Sequence, residues 1–289
     1  MKIQTFTIVV GTAACNAKCP YCISKMTPKQ GVNLKEQEIN WHNFDKACRL
    51  SQIYNVSTVL FTGKGEPTLY PDQVTDFLKH MKKFDFPIIE IQSNGLFMKD
   101  FAKYKEYLEE WHNLGLNTIA ISIVHYKDNR NKEIYTLDSE YPSLEETIKK
   151  LHNLGFSIRL SVIMVKGYID SIEEVKNLIE FSKKCDVEQL TLRSVKTPDK
   201  TEDKSVYEWT RSHTPNQDSI NKIAEFIDKN AKKLMTLEHG ATVYDFEGQN
   251  ICLTDCLTLK SQTDNLRQLI FFPDGHLRYD WQYKGAILM

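Results

Sequence analysis

Residues 5–22 read Thr5-Phe6-Thr7-Ile8-Val9-Val10-Gly11-Thr12-Ala13-Ala14-Cys15-Asn16-Ala17-Lys18-Cys19-Pro20-Tyr21-Cys22. A β-branched and aromatic run stops at a glycine and opens into three cysteines spaced C-x3-C-x2-C. Such a run bounded by Gly-Thr predicts a first strand from Thr5 to Val10. The same segment, with Lys2 ahead and Thr12-Ala13-Ala14-Cys15 behind, loosely resembles a lipoprotein signal, but its apolar stretch is too short for one. Three thiols this close suit a metal or a cluster, because grouped sulfur selects zinc, copper(I) or iron–sulfur. A structural zinc wants a fourth ligand nearby. The nearest after Cys22 are His42 and Cys48, on a predicted helix. A cubane held by three cysteines instead leaves one iron open, as a reactive cluster requires.

Beyond the cysteines, strands and helices alternate. Trp41 to Tyr54 is amphipathic, and Ser57 to Thr62 is a strand ending in Gly63-Lys64-Gly65. A helix from Pro71 to about Phe84 places Val74, Phe77, Leu78 and Met81 on one face. Pro87 to Gln92 is a strand stopped by Asn94-Gly95, Asp100 to Asn113 a helix, and Asn117 to Val124 a strand. Ser143 with Glu146, and Ser171 with Glu174, open two further helices as capping boxes. Ser157 to Val165 and Glu188 to Val195 are strands, and residues 216–234 read as a last long helix. Six βα units in series imply a parallel sheet with right-handed crossovers. The connections Val124 to Pro142 and Lys196 to Pro215 read as long loops at carboxyl ends of strands, where α/β enzymes place their sites. From Ala241 short alternating segments surround Pro273-Asp274-Gly275, a hairpin from Gln268 to Trp281.

Composition narrows the function class. The 289 residues carry 37 Lys+Arg against 38 Asp+Glu, a formal charge of −1, which argues against a chain whose main task is gripping nucleic acid. With 41% hydrophobic residues the chain can bury a core. No stretch approaches a membrane span, and seven cysteines are too few for a disulfide-stapled secreted scaffold. Reduced thiols in a cytoplasmic protein are the expectation.

At the cysteines the sequence resembles the radical S-adenosylmethionine (radical SAM) superfamily. The hallmark C-x3-C-x-aromatic-C is matched in full, with Tyr21 in the aromatic place. The Gly-Gly-Glu-Pro landmark after strand two appears as Lys64-Gly65-Glu66-Pro67, with Lys64 in place of the first glycine. Ser93-Asn94-Gly95 is similar to the family's Thr-Asn-Gly, and Ser122, Ser161 and Arg193 fall on strands where the family often puts cofactor-contacting groups. The resemblance covers about residues 5–195. It implies a partial (β/α)6 TIM-type barrel, residues 1–235, followed by a short C-terminal β-hairpin extension, residues 236–289, similar to SPASM-type tails.

The resemblance also implies a chemistry. Cys15, Cys19 and Cys22 would hold a [4Fe–4S] cluster whose open iron takes the amino and carboxylate groups of S-adenosylmethionine. Reductive cleavage would give methionine and a 5′-deoxyadenosyl radical, with the protein positioning the cofactor. Gly65, Glu66 and Pro67 would receive the methionine amino group, and Tyr21 would lie over the cluster near the adenine. Ser93, Asn94, Ser122 and Ser161 would fix ribose and carboxylate, with Arg193 a further contact. An electron donor such as flavodoxin or ferredoxin would be a partner.

SPASM-type tails supply cysteines for auxiliary clusters. Here Arg278-Tyr279-Asp280-Trp281 stands where one is usual. Cys252 and Cys256 alone cannot make a four-thiolate set; Cys48 or Cys185 would have to join, and free cysteines usually pack. The reading is therefore against an auxiliary cluster. The substrate is read as a peptide, a nucleotide or another small molecule, with no reacting acid or base identified. His125, Tyr126, Arg130, Trp209, Arg211 and His213 stand as candidates to line a lid, with Tyr244 and Asp245 in the tail. Two alternatives remain: an RNA-modifying member of the same superfamily, and a zinc-binding structural module.

Overall fold

Each strand of the sheet has two unlike faces. In the register of the strands, Phe6, Val59, Ile89, Ile119, Ile158 and Leu190 share the outward face. Residues one step along, Thr7, Gln92, Ser122, Ser161 and Thr191, point the other way, because side chains alternate along a strand. The apolar face takes the helices and the polar face lines the interior of a curved sheet. This computed structural model describes residues 3–135, 140–237, 240–254 and 266–289.

Six parallel strands lie side by side in chain order: β1 (Ile3–Val9), β2 (Thr58–Thr62), β3 (Ile88–Ser93), β4 (Thr118–Ile123), β5 (Ser157–Met164) and β6 (Gln189–Ser194). After β1 comes a short α1 (Ile23–Met26) and then α2 (Trp41–Ile53). The crossovers are α3 (Pro71–Met81), α4 (Phe101–Asn113), α5 (Asp128–Tyr135) with α6 (Leu144–Asn153), and α7 (Ile172–Lys184). Ser143 and Ser171 cap α6 and α7 as the sequence predicts, accepting from the amides of Glu146 and Glu174. Phe77 on α3 and Phe44 on α2 meet Phe271 from the tail, with Phe44 5.0 Å from Phe77 and 5.2 Å from Phe271. All three are fully buried, each contributing about 2–3 kcal/mol of apolar burial.

The six βα units are present, and three readings need correction. The two long connections are not loops throughout. The first holds α5, fastened by buried Asn131, whose Oδ1 accepts from the amides of Val124 and His125. The second holds α8 (Lys204–His213), capped by Asp203. The last long helix, α9 (Gln217–Asn230), stops short of residue 234. Ala231 turns extended, and pairing with the tail recruits Lys232–Thr236 as β7, tertiary context overriding helix propensity.

The tail extends both edges of the sheet. β8 (Thr242–Phe246) pairs antiparallel with β7 and with β9 (Gln249–Leu253), and β9 docks parallel on β6. β10 (Leu266–Phe271) docks parallel on β1 and turns back as β11 (Leu277–Arg278). The sheet order is β11-β10-β1-β2-β3-β4-β5-β6-β9-β8-β7, an open α/β barrel among the described residues. The expected hairpin is held by Arg278, which is buried, donates twice to Asp274 at 3.0 and 2.8 Å, and lies 4.7 Å over Phe272. Burial pushes the Asp274 carboxyl up, but the Arg278 hydrogen bonds, the His276 amide and the charges of both side chains together outweigh it and hold the carboxyl below its ordinary value. No described helix is long and apolar enough to cross a membrane.

Candidate active site

The carboxyl ends of β1, β2 and β3 converge, and the loop from each supplies one part of the site. Behind β1, Ala14 offers its carbonyl to the Glu66 amide at 3.0 Å, joining the cysteine loop to the turn after β2. This contact needs glycine at 65, because a Cβ there would overlap the Ala14 carbonyl, 2.6 Å from its carbon. After β3, Gly95 takes a left-handed φ of 77°, letting its amide reach Ser93 Oγ while Leu96 N donates to Asn94 Oδ1.

Cys15, Cys19 and Cys22 are free thiols with some solvent access, and all line one cavity of about 350 Å3. Burial pushes the Cys15 and Cys19 thiols up, and each is raised further by the charge of neighbouring thiols. Cationic metal is what would draw the protons from Cys15 and Cys19 and hold them as thiolates. The Ala17 amide lies 3.4 Å and Asn94 Nδ2 3.8 Å from Cys15 Sγ, as donors to a ligating sulfur would. Among the described residues no three His, Cys, Asp or Glu are grouped tightly enough to hold a single ion. Three cysteine thiols from one loop, facing one cavity with N–H donors beside Cys15 Sγ, are a soft donor set that fits a [4Fe–4S] cluster.

Glu66 is the centre of the second part. It is 3% exposed. Its Oε1 accepts from Thr68 N at 3.1 Å, Thr68 Oγ1 at 2.7 Å and Ser93 Oγ at 2.8 Å, and its Oε2 from Asn94 N at 2.9 Å. Burial raises its carboxyl above the ordinary value against the pull of these donors. No basic side chain pairs with it among the described residues. A buried carboxylate with room on one oxygen suits the ammonium of a ligand.

Tyr21 forms the third wall, 6.2 Å from Trp209 of α8 and packed in one cluster with Tyr135 of α5. Tyr135 donates its hydroxyl to the Ser122 carbonyl. Burial holds both phenols neutral. The cavity lining takes in Gly65, Glu66, Pro67, Ser93, Asn94, Ser122 and Arg193 beside the cysteines and Tyr21. Ser161 is buried next to Ser122 in the register and does not reach the lining. The interior below is closed by Arg159, which grips Glu90 and donates to Thr191 Oγ1 at 3.2 Å.

Of the lid candidates, only Trp209 meets the site. His125 is buried against Glu174 of α7 at 3.3 Å, Arg130 covers the Tyr168 ring, and Tyr244 bonds Asp228. Cys48 is a buried residue of α2, Cys185 caps α7, Cys252 pairs with Thr191, and Cys256 lies outside the described residues. Sequence reasoning missed Tyr135, whose helix has too little apolar periodicity to announce itself, and Trp281, which the tail brings into the lining. Lys64 also lines it; burial brings its ammonium down to about 8, leaving it charged at neutral pH.

The description Radical SAM superfamily matches the chain over residues 9–182. A GTP 3',8-cyclase of Aquifex aeolicus (strain VF5) is 26% identical over 212 residues, which span 72% of this chain and 60% of that protein. Among solved structures, Streptococcus suis SuiB bound to S-adenosylmethionine superposes with a TM-score of 0.63 at 13% identity, over 96% of this chain and 60% of that one. Native anSMEcpe with bound AdoMet and Kp18Cys peptide gives 0.61 at 13% identity, over 99% and 77%. Both likenesses extend through the tail.

Proposed function

The chain belongs to the radical SAM superfamily and is an enzyme of a [4Fe–4S] cluster and S-adenosylmethionine; from that premise we propose that Cys15, Cys19 and Cys22 hold the cluster and that the cavity beside them binds the cofactor for hydrogen abstraction from a peptide, nucleotide or other small molecule. The observation that carries this reading is the meeting, in one cavity, of three free thiols and a buried carboxylate that no basic side chain pairs with among the described residues. Held by Cys15, Cys19 and Cys22, the cluster would supply the single electron for reductive cleavage of S-adenosylmethionine.

The protein's own work is positioning. Glu66 Oε2 accepts the methionine ammonium, and Ser93 and the Asn94 amide keep that carboxylate aimed at the cavity. Gly65 lets the backbone run close beside the cysteine loop. Tyr21, locked by Tyr135 and Trp209, is a neutral wall that keeps water from the reacting carbon. Ser122 and Arg193 offer hydrogen bonds to ribose and carboxylate oxygens, with Ser161 behind that wall. An external one-electron donor completes the reaction.

Two kinds of relative frame the substrate: one is named a GTP cyclase, and SuiB is solved bound to the precursor peptide SuiA. Anaerobic incubation of the iron-loaded protein with S-adenosylmethionine and dithionite tests the reading. Slow release of 5′-deoxyadenosine and methionine in equal amounts is expected. Intact S-adenosylmethionine after many hours, with the cluster reduced, would contradict it.

A further inference from the structure

Lys64 stands where the family pattern has a glycine, so the turn after β2 carries a side chain, 5% exposed, where the pattern has none. Two contacts fix its ammonium. Nζ donates to Thr27 Oγ1 at 2.9 Å, and that hydroxyl donates to the Ile23 carbonyl at 2.9 Å. Ile23 opens α1, and Cys22 is the residue that caps it. On the other side Nζ lies 5.3 Å from the centroid of the Trp281 ring, brought there by the tail. Lys64 is thereby held against the segment that presents Cys22, and both residues line the cavity.

The Cys22 sulfur is the charge that Lys64 faces. Burial draws the ammonium down, and a Cys22 thiolate draws it back up. A [4Fe–4S] cluster gains one negative charge when it takes an electron, and the charge around it sets how readily it does so. A fixed cation nearby therefore favours the reduced form. Lys64 acts strongly because it is buried, out of reach of screening by water. Lys25 is the contrast: it lies on α1 and its charge reaches the Cys19 thiol, but it is exposed.

We propose that Lys64 tunes the cluster through Cys22: its ammonium, anchored by Thr27 and Trp281, raises the reduction potential and eases entry of the electron. The inference rests on Cys15, Cys19 and Cys22 holding the cluster. The electron comes from the external donor and no proton moves, so Lys64 shifts the reduction equilibrium and takes no part in the bond breaking that follows. Through the indole of Trp281, the tail shares in setting that equilibrium.

The test is a redox titration of the anaerobically reconstituted protein without S-adenosylmethionine, read by electron paramagnetic resonance of the reduced cluster. Lys64→Gln removes the charge and keeps a donor for Thr27 Oγ1, while Lys64→Met removes both. Each is expected to lower the equilibrium constant for cluster reduction about tenfold, which is about 59 mV for a one-electron couple. Lys64→Arg is expected to keep most of the wild-type value. Lys25→Met, an equal change of charge in water, is expected to shift the constant by less than about threefold. Iron content and thermal midpoint report folding, and Lys64→Gln carries the test should Lys64→Met fail to fold. Mere loosening of the structure has the opposite sign, because water admitted to the cluster stabilises the added charge. A wild-type or raised potential in Lys64→Gln would overturn the tuning role and leave the cluster reading intact. A wild type with no reducible cluster would overturn the cluster reading, and this inference with it.

Discussion

Gly65→Ala is expected to abolish iron binding and to lower stability by about 3 kcal/mol. The added methyl would overlap the Ala14 carbonyl, with the Ala13 carbonyl carbon 2.8 Å away. These atoms are backbone and cannot rotate aside. The Glu66–Ala14 hydrogen bond must break, and the loop that presents Cys15 must move with it. Iron content and the urea midpoint of the purified variant check this. Gly285→Ala is the control, because a Cβ there meets nothing within 4 Å and Gly285 has no left-handed φ. A Gly65→Ala protein with wild-type iron and midpoint would show that the two loops are not locked together.

Glu66→Gln is expected to weaken S-adenosylmethionine binding about a hundredfold or more, the range for removing one partner of a buried charge pair. The volume is unchanged, so the loss is electrostatic. Oε1 faces three donors, so the amide oxygen stays there and the new NH2 opposes the Asn94 amide. That arrangement removes the acceptor for the ammonium and adds a donor–donor conflict. Equilibrium binding to the iron-loaded variant measures it. The wild-type pH profile gives an independent sign. Burial raises the Glu66 carboxyl, so cofactor affinity falls as pH drops toward the usual glutamate range, sooner than for an exposed carboxylate. In the ligand-free chain the linkage runs oppositely: a raised carboxyl withdraws stability as pH climbs through the same range. Cofactor affinity unchanged by Glu66→Gln would remove Glu66 from the binding site.

The cysteine loop, the Glu-Pro turn and the Ser-Asn-Gly turn were legible because each is local and sits at the end of a strand. Their convergence follows from parallel strands in chain order, which place successive carboxyl ends side by side. Ser143 and Ser171 were legible as caps for the same local reason. What escaped was held by distant contacts. Nothing in the short alternation of Gln249–Leu253 or Leu266–Phe271 says that one docks on β6 and the other on β1. α5 is polar nearly throughout, and buried Asn131 rather than an apolar stripe secures it. Lys232–Thr236 carries lysines, leucine and methionine, a helical composition, and becomes a strand because β8 pairs with it. Lys64 stood out in the sequence as a departure, but its neighbour Trp281 is found through the fold.

The central claim is that Cys15, Cys19 and Cys22 hold a cluster that cleaves S-adenosylmethionine. The most direct measurement compares anaerobically reconstituted wild type with the Cys15→Ala/Cys19→Ala/Cys22→Ala variant, counting iron and then 5′-deoxyadenosine after dithionite. About four irons per chain and nucleoside release in the wild type, both lost in the variant, are the predicted result. Zinc in place of iron with no nucleoside, or iron and nucleoside surviving the triple substitution, would contradict it.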